Sequence, residues 1–302
     1  MEPSQTGKFQ LDPVVTTGFI LQNTSLLKRF DSQVFMKISQ MQDQTAQPGE
    51  GNLRCPEFQL PSGAVFPDWS VVTSDNVRAS LNDTLGKLRM ARRWQGMSWE
   101  EDLLRQAILK SFTTNGKAPN ANELADSAGL DPAMVFALLG SLCERDHILL
   151  DHTGLTVRGA YPFTSTVTEH RLLLGSKTLH AMCAIDALGA GAMLNRDLLI
   201  ESSCRQCRRP VRIVTQHNGH AIKSATPENV IVWSGIQDID ACAADTQCTV
   251  MAFFCSDSHL AQWRDTNPVA GALGHRLTLD EGLQAGMAIF VPLLTAGLTT
   301  KF

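Results

Sequence analysis

The sequence predicts an α+β fold, in which an N-terminal helix-turn-helix or winged-helix-like helical domain precedes a mixed or antiparallel sheet domain with flanking helices. Three observations carry this expectation. Helix starts between Ser98 and Pro132 are punctuated by capping residues, the pattern shifts to short β-branched and aromatic runs from Val211 onward, and Asn218-Gly219 between two such runs signals a hairpin. The expected divisions are a largely irregular extension over 1–73, the helical domain over 74–163 and the sheet domain over 164–302.

The chain has 302 residues, 43% apolar and 19% charged, against roughly 25% charged in average proteins. It has the material for a sizeable core and reads as an ordinary soluble globular protein. Lys and Arg total 26 against 30 Asp and Glu, a net charge of −4. No bulk positive field therefore exists to hold nucleic acid or an anionic membrane, and neither is expected as a partner. The N-terminus, MEPSQTGKFQLDPVV, lacks the basic start and apolar stretch of a secretory signal. The longest nearly apolar run, Gly286 to Leu298, is short for a bilayer span and carries Pro292. A cytoplasmic setting is expected, where reduced cysteines more often bind metals or do chemistry than staple a fold.

Residues 1 to about 66 are rich in Gln, Ser, Thr, Pro and Gly without a sustained period, which predicts a loose arm. From Ser74, the residues Val77, Leu81, Leu85 and Leu88 recur at helical spacing and run into Lys87, Arg89, Arg92 and Arg93, charges that suit a helix C-terminus. Ser98 with Glu101 is a capping box opening a helix to about Phe112. Asn120 with Glu123 opens a second that stops at Gly129, and Asp131-Pro132 opens a third reaching about Glu144. The string HILLDHTGLTVRG then alternates weakly around Thr153-Gly154, as a two-stranded wing would. The second helix of the turn, DPAMVFALLGSLCER, offers only Arg145 to a phosphate or base edge, which favours structural docking over DNA binding. Beyond Thr164, a helix is predicted from about Leu179 to Leu194. Strands follow at Val211 to Thr215, Val230 to Trp233 and Thr249 to Phe254, with a turn at His217-Asn218-Gly219-His220. Helices near Ser258 to Thr266 and Leu279 to Phe290 complete the chain.

The eight cysteines stand at 55, 143, 183, 204, 207, 242, 248 and 255, five of them between 204 and 255. In LHAMCAIDALGAGAML, Cys183 and Asp186 are three apart, about 60° around a helix axis, so thiol and carboxyl share a face near the first turns. A thiolate near a helix N-terminus is favoured by the dipole, and an adjacent carboxyl can exchange one proton with it. A small buried Cys beside a capping Asp accounts for the same residues structurally. Cys248 opens CTVMAFFCS, read as a buried strand. A strand-borne thiol facing the pair would complete a ligand set for a soft metal, while a plain buried Cys is the structural alternative. Cys204-x-x-Cys207 is half of a zinc site or a redox pair, with His217 and His220 the nearest histidines. There is no G-x-S-x-G, Walker loop or G-x-G-x-x-G.

Three strings, taken together, resemble the alkylmercury lyase family: MCAIDAL, SSCRQCRRPV, and CTVMAFFCS followed by Trp263. Their order and approximate spacing agree with that family from about Ser98 to Leu294. The resemblance implies that Cys183 is the first catalytic cysteine, Asp186 the catalytic aspartate, Cys248 the second catalytic cysteine and Cys204 a structural cysteine. Cys207 and Cys255 have no family role, and Met182 and His180 replace residues that are often aromatic there.

The resemblance further implies protonolysis of carbon–mercury bonds in alkyl- and arylmercury compounds to hydrocarbon and Hg(II), as mercury detoxification. Cys183 and Cys248 would hold mercury and Asp186 would shuttle the proton. No organic cofactor is required; external thiols would keep the site reduced and take the product, with a mercuric reductase as a further Hg(II) acceptor. Two other readings stand beside it: a metal-responsive winged-helix DNA-binding sensor using Cys204, Cys207, Cys242 and Cys248, and a zinc-stabilised non-catalytic scaffold.

Overall fold

A computed structural model describes residues 55–237 and 241–294. Helix starts fall where the capping residues predict them. Helix α1 (Asp75–Lys87) begins at Ser74, whose hydroxyl accepts from the Val77 amide. It is followed by the short α2 (Met90–Trp94). Both capping boxes are formed reciprocally, at Ser98 and Glu101 for α3 (Trp99–Asn115) and at Asn120 and Glu123 for α4 (Ala121–Ala128). Asp131 caps α5 (Pro132–Glu144), with Pro132 in the first turn, where its missing N–H costs nothing.

The hairpin expected around Thr153-Gly154 is present as β3 (Ile148–Leu150) and β4 (Val157–Ala160). It does not stand free as a wing. Strand β4 pairs with β5 (Phe163–Thr164), β5 with β7 (Lys177–Ala181) and β7 with β6 (Arg171–Leu174). The series continues through β8 (Leu199–Ser203) and β9 (Pro210–Gln216) to β10 (Ala221–Thr226). The result is one eight-stranded sheet, ordered β10-β9-β8-β6-β7-β5-β4-β3, with antiparallel pairing throughout. The β9–β10 turn is the predicted one, with His217, Asn218 and Gly219 all at positive φ. A second antiparallel sheet is ordered β12 (Met251–Phe254), β11 (Ile231–Gly235), β13 (Gly274–Thr278). Helices α6 (Ala184–Met193), α7 (Asp257–Thr266) and α8 (Leu279–Phe290) complete the described chain.

Three expectations need correction. The helix predicted from Leu179 starts later, because Leu179 to Ala181 pair in β7 with β5 and β6 and Cys183 is the cap. The strand predicted from Thr249 begins at Met251; Gln247–Val250, including Cys248, form one turn of 3₁₀ helix. The loose arm lies outside the described residues up to 54, but from Cys55 it is packed. A hairpin of β1 (Phe58–Gln59) and β2 (Val65–Phe66) buries Phe58, Leu60 and Phe66 in the principal core. Aromatic and branched side chains spaced among polar residues supply that burial without a period.

The principal core is continuous, holding Leu104, Ile108 and Leu109 of α3 together with Leu172, Ile200 and Ile213 of the large sheet. A buried ion pair ties its edges: Asp102 and Arg105 are joined, Ser62 N–H and Gln106 Nε2 donate to Asp102 Oδ2 at 3.1 and 3.2 Å, and Arg105 Nη1 donates to the Leu293 carbonyl at 2.6 Å. Removing one partner would strand a buried charge, at a cost of about 3–5 kcal/mol. Helix α6 is buried along its whole length and meets α8 backbone to backbone. A Cβ on Gly189 would stand 2.6 Å from the Gly286 carbonyl oxygen, and one on Gly286 would stand 2.6 Å from the Gly189 nitrogen, so both positions require glycine. No helix among the described residues is long and apolar enough to cross a membrane.

Candidate active site

Cys183 ends the β7 connection in extended backbone and caps α6, its sulfur accepting from the Asp186 amide at 3.5 Å. The first turn of the helix carries Asp186. The third group arrives from a different element. Cys248 lies on the 3₁₀ turn before β12, with its sulfur 3.7 Å from Asp186 Oδ2. The two sulfurs and a carboxylate oxygen lie within 4.8 Å of one another, and all three residues are buried. On β12, the Met251 thioether sulfur is 3.7 Å from Cys183 Sγ.

The turn bearing Cys248 is pinned by polar groups that the sequence motifs do not single out. Tyr161 Oη donates to Asp146 Oδ1 at 2.9 Å and accepts from the Ala244 amide at 2.9 Å. Asp146 Oδ2 accepts from the Ala243 amide at 2.9 Å and from Arg93 Nη1 at 2.8 Å. The Cys248 amide donates to the Ala243 carbonyl at 2.8 Å, and the Gln247 side chain donates to the Gly235 carbonyl at the end of β11. The basic run from Lys87 to Arg93, read as a helix end, thus supplies through Arg93 a brace for the site. Arg145, the one basic residue of the α5 segment, is likewise engaged, with Glu101 at 3.1 Å and the carbonyls of Arg93 and Gln95. No local sequence signal marks these residues, because each acts across a long sequence separation.

Burial sets the acid–base character. It pushes the Asp186 carboxyl up to about 7, partly offset by hydrogen bonding to Cys183 and Cys248. The Cys183 thiol is raised chiefly by burial. Cys248 is raised well above an ordinary thiol by its hydrogen bond with Cys183, by burial and by the neighbouring Asp186 carboxylate. Both thiols therefore hold their protons near neutral pH until a cation compensates the charge, while the carboxyl sits at its midpoint. These three groups open on a cavity of about 50 Å³, beyond the ~10–15 Å³ that one water requires. Its walls are otherwise nearly all apolar, with Leu85, Leu88, Met90 and Trp94 on one side and Ile289 and Phe290 of α8 on another. Trp94 is itself fixed by stacking on His147 at 4.1 Å and by Phe66 at 4.7 Å, so the packed end of the N-terminal arm supports a cavity wall.

The alkylmercury lyase (MerB) family profile matches residues 163–291, which include all three converging groups. Over this segment the chain is similar to the alkylmercury lyase family. The alkylmercury lyase of Staphylococcus epidermidis is 26% identical over 179 residues, 59% of this chain and 79% of that protein. The alkylmercury lyase of Streptomyces lividans is 26% identical over 188 residues, 62% of this chain and 82% of that protein. The mercury-bound form of MerB2 superimposes with a TM-score of 0.59 at 23% identity, covering 68% of this chain and 98% of that one, a likeness of fold.

Within this alkylmercury lyase fold the remaining cysteines divide. Cys204 lies with Cys207, Cys255 and His259, whose ligand atoms are all within 4.8 Å of one another. Burial opposes ionisation of Cys204, but backbone amides of Cys207, Cys255 and Gln206 and the His259 ring outweigh it and bring the thiol down to about 6. Cys242 sits elsewhere, its sulfur 3.5 Å from Tyr161 Oη. The sensor ligand set of Cys204, Cys207, Cys242 and Cys248 is thereby contradicted: its members fall in three different places, because β12 carries Cys255, not Cys248, to the C-x-x-C turn. His217 and His220, considered as ligands with Cys204 and Cys207, are instead at the β9–β10 turn. Met182 and His180, the departures next to Cys183, are not among the residues lining the cavity; His180 Nδ1 accepts from the Thr168 amide at 3.3 Å.

Proposed function

We propose that this chain cleaves the carbon–mercury bond of alkyl- and arylmercury compounds by protonolysis, with Cys183 and Cys248 as mercury ligands and Asp186 as proton carrier. The observation that carries the reading is the convergence of two thiols and one carboxyl, all buried, on a small apolar cavity. Soft sulfur donors suit mercury, and apolar walls suit the organic group it bears.

An organomercurial delivered as its adduct with an external thiol, RHg–SR′, exchanges onto Cys183: the Cys183 proton leaves with R′SH and a Cys183 S–Hg bond forms. Cys248 then coordinates the same mercury, and its proton passes to the Asp186 carboxylate, the group its sulfur faces at 3.7 Å. Positive charge at mercury is what lets these raised thiols ionise. A second sulfur donor raises electron density at the metal and weakens the bond to carbon. Asp186, now the acid, delivers the proton to carbon; the carbon–mercury bond breaks as the C–H bond forms, and RH departs. Hg(II) stays bridged between the two sulfurs until two external thiols, or a mercuric reductase, remove it and restore both protons. No organic cofactor enters this scheme.

Incubating reduced, full-length protein with methylmercury or phenylmercury and excess thiol should release methane or benzene into the headspace. Folded, reduced protein that releases neither would overturn the proposal.

A further inference from the structure

Away from the cavity, four metal-binding side chains meet that the proposed reaction does not use. Cys204 and Cys207 lie on the tight connection from β8 to β9, where the Arg208 amide donates to the Cys204 carbonyl at 2.9 Å and Arg208 takes the left-handed conformation at φ 61°. Cys255 directly follows β12 and His259 lies in the first turn of α7, giving Cys-x-x-Cys followed, far along the chain, by Cys-x-x-x-His. The connection is held against β12 by the Arg205 amide donating to the Phe253 carbonyl at 2.9 Å, and by Arg205 Nη1 donating to the Thr249 carbonyl at 3.0 Å.

We infer that Cys204, Cys207, Cys255 and His259, the last through Nδ1, form a closed structural zinc site. Zn–S bonds near 2.3 Å and Zn–N bonds near 2.05 Å require sulfur–sulfur edges of about 3.8 Å and sulfur–nitrogen edges of about 3.6 Å in a tetrahedron. Cys207 and Cys255 sulfurs are 3.7 Å apart, and Cys204 sulfur is 3.7 Å from His259 Nδ1. The Cys255–His259 edge is 2.9 Å, and has to open by roughly 0.7 Å on metal binding.

The donor set is three sulfurs and one imidazole without a carboxylate, which matches a borderline-soft, redox-inert cation held in four-coordination. It lacks the proton donor that the cavity cluster has, and four protein ligands leave no position for a substrate. Three thiolates and Zn²⁺ would carry a net charge of −1; on the same turn Arg205 and Arg208 are paired with Glu169, at 2.9 and 3.3 Å. The ion would clamp one end of β12. Met251, at the other end, lies four residues from Cys255, about 13 Å along an extended strand, so the two sulfur clusters are separate.

Metal analysis of reduced, full-length protein purified without chelator should find one zinc per chain. Cys183→Ser and Cys248→Ser should keep it, whereas Cys207→Ser and His259→Ala should lower the content by about tenfold or more. Cys207 is exposed, so its replacement leaves the core intact, and circular dichroism checks that each variant is folded. In the unmutated chain, stripping with chelator and adding Co²⁺ should produce the visible bands of a tetrahedral, thiolate-rich cobalt centre. Wild-type protein with no zinc and no such cobalt spectrum would overturn the site, as would full zinc retention in both Cys207→Ser and His259→Ala. Neither readout depends on turnover of an organomercurial.

Discussion

Two sulfur clusters at the two ends of β12 surround the same element differently. At Cys183 and Cys248 the thiols are buried beside a carboxyl, and their ionisation is pushed up. At Cys204, amide and imidazole donors outweigh burial and bring the thiol down to about 6, while Cys255 beside it is raised to about 12 by burial and by its cysteine neighbours. The number of cysteines in a cluster therefore says little; what surrounds the sulfur decides. The geometric difference is the neighbour: a carboxyl able to take and return a proton stands beside Cys183 and Cys248, and an imidazole stands beside Cys204 and Cys255.

Mutation at one cluster should leave the other untouched, and the largest effects test that independence directly. Cys183→Ser or Cys248→Ser should reduce hydrocarbon release by about three orders of magnitude or more, since a hydroxyl is a poor mercury ligand, while zinc content stays unchanged. Turnover within a factor of ten of wild type in either variant would remove that cysteine from the mechanism. Asp186→Ala should still bind mercury, by isothermal titration, but release hydrocarbon about 10²–10⁴-fold more slowly, the usual worth of a general acid–base group.

The Asp186 carboxyl also predicts a pH profile. The proton-accepting form is the carboxylate, so kcat/KM should fall as pH drops through about 7, approaching a tenfold loss per unit well below it. A flat profile from pH 5 to 8 would refute the assignment. Stability should run the other way. The folded-state value is raised, so between about 4 and 7 the native protein binds more protons than the unfolded chain, and this group's contribution falls as pH rises through that window. Asp186→Asn should therefore gain more melting temperature over wild type at pH 8 than at pH 5.

Smaller effects are expected at the supporting residues. Tyr161→Phe removes the hydroxyl that links Asp146 to the Ala244 amide, leaving buried partners unpaired at a cost of about 1–3 kcal/mol. Denaturant melts should show that loss, with kcat reduced severalfold as the Cys248 turn loosens and zinc untouched. Replacing both His217 and His220 by Ala should change neither zinc content nor turnover, measured side by side with wild type.

Much of this is legible in the sequence where the controlling interaction is local. Ser98 with Glu101 and Asn120 with Glu123 each lie within one turn, so the boxes mark helix starts without knowledge of the fold, and Asn218-Gly219 likewise marks its hairpin. Leu179 to Ala181 mislead because an apolar run next to a helix reads as more helix, while its strand identity depends on partners in β5 and β6. Cys183, Asp186 and Cys248 are legible through the joint order of three strings; spacing by itself leaves each open to a structural reading. The Cys255–His259 half of the second cluster carries a usable signal, an i, i+4 pair across a strand-to-helix junction. It is missed when ligands for Cys204 and Cys207 are sought among nearer histidines. Tyr161 and Asp146 have no signal at all, since both work by gripping a turn some eighty to a hundred residues away.

The contact between Gly189 and Gly286 has a consequence for the cavity. A methyl group at either position meets backbone below 3 Å, and at Gly189 it also meets Phe290, a wall of the cavity, at 2.5 Å. Alanine at either position would have to push α6 and α8 apart, and the packing of these two helices is thereby coupled to the position of the Phe290 wall.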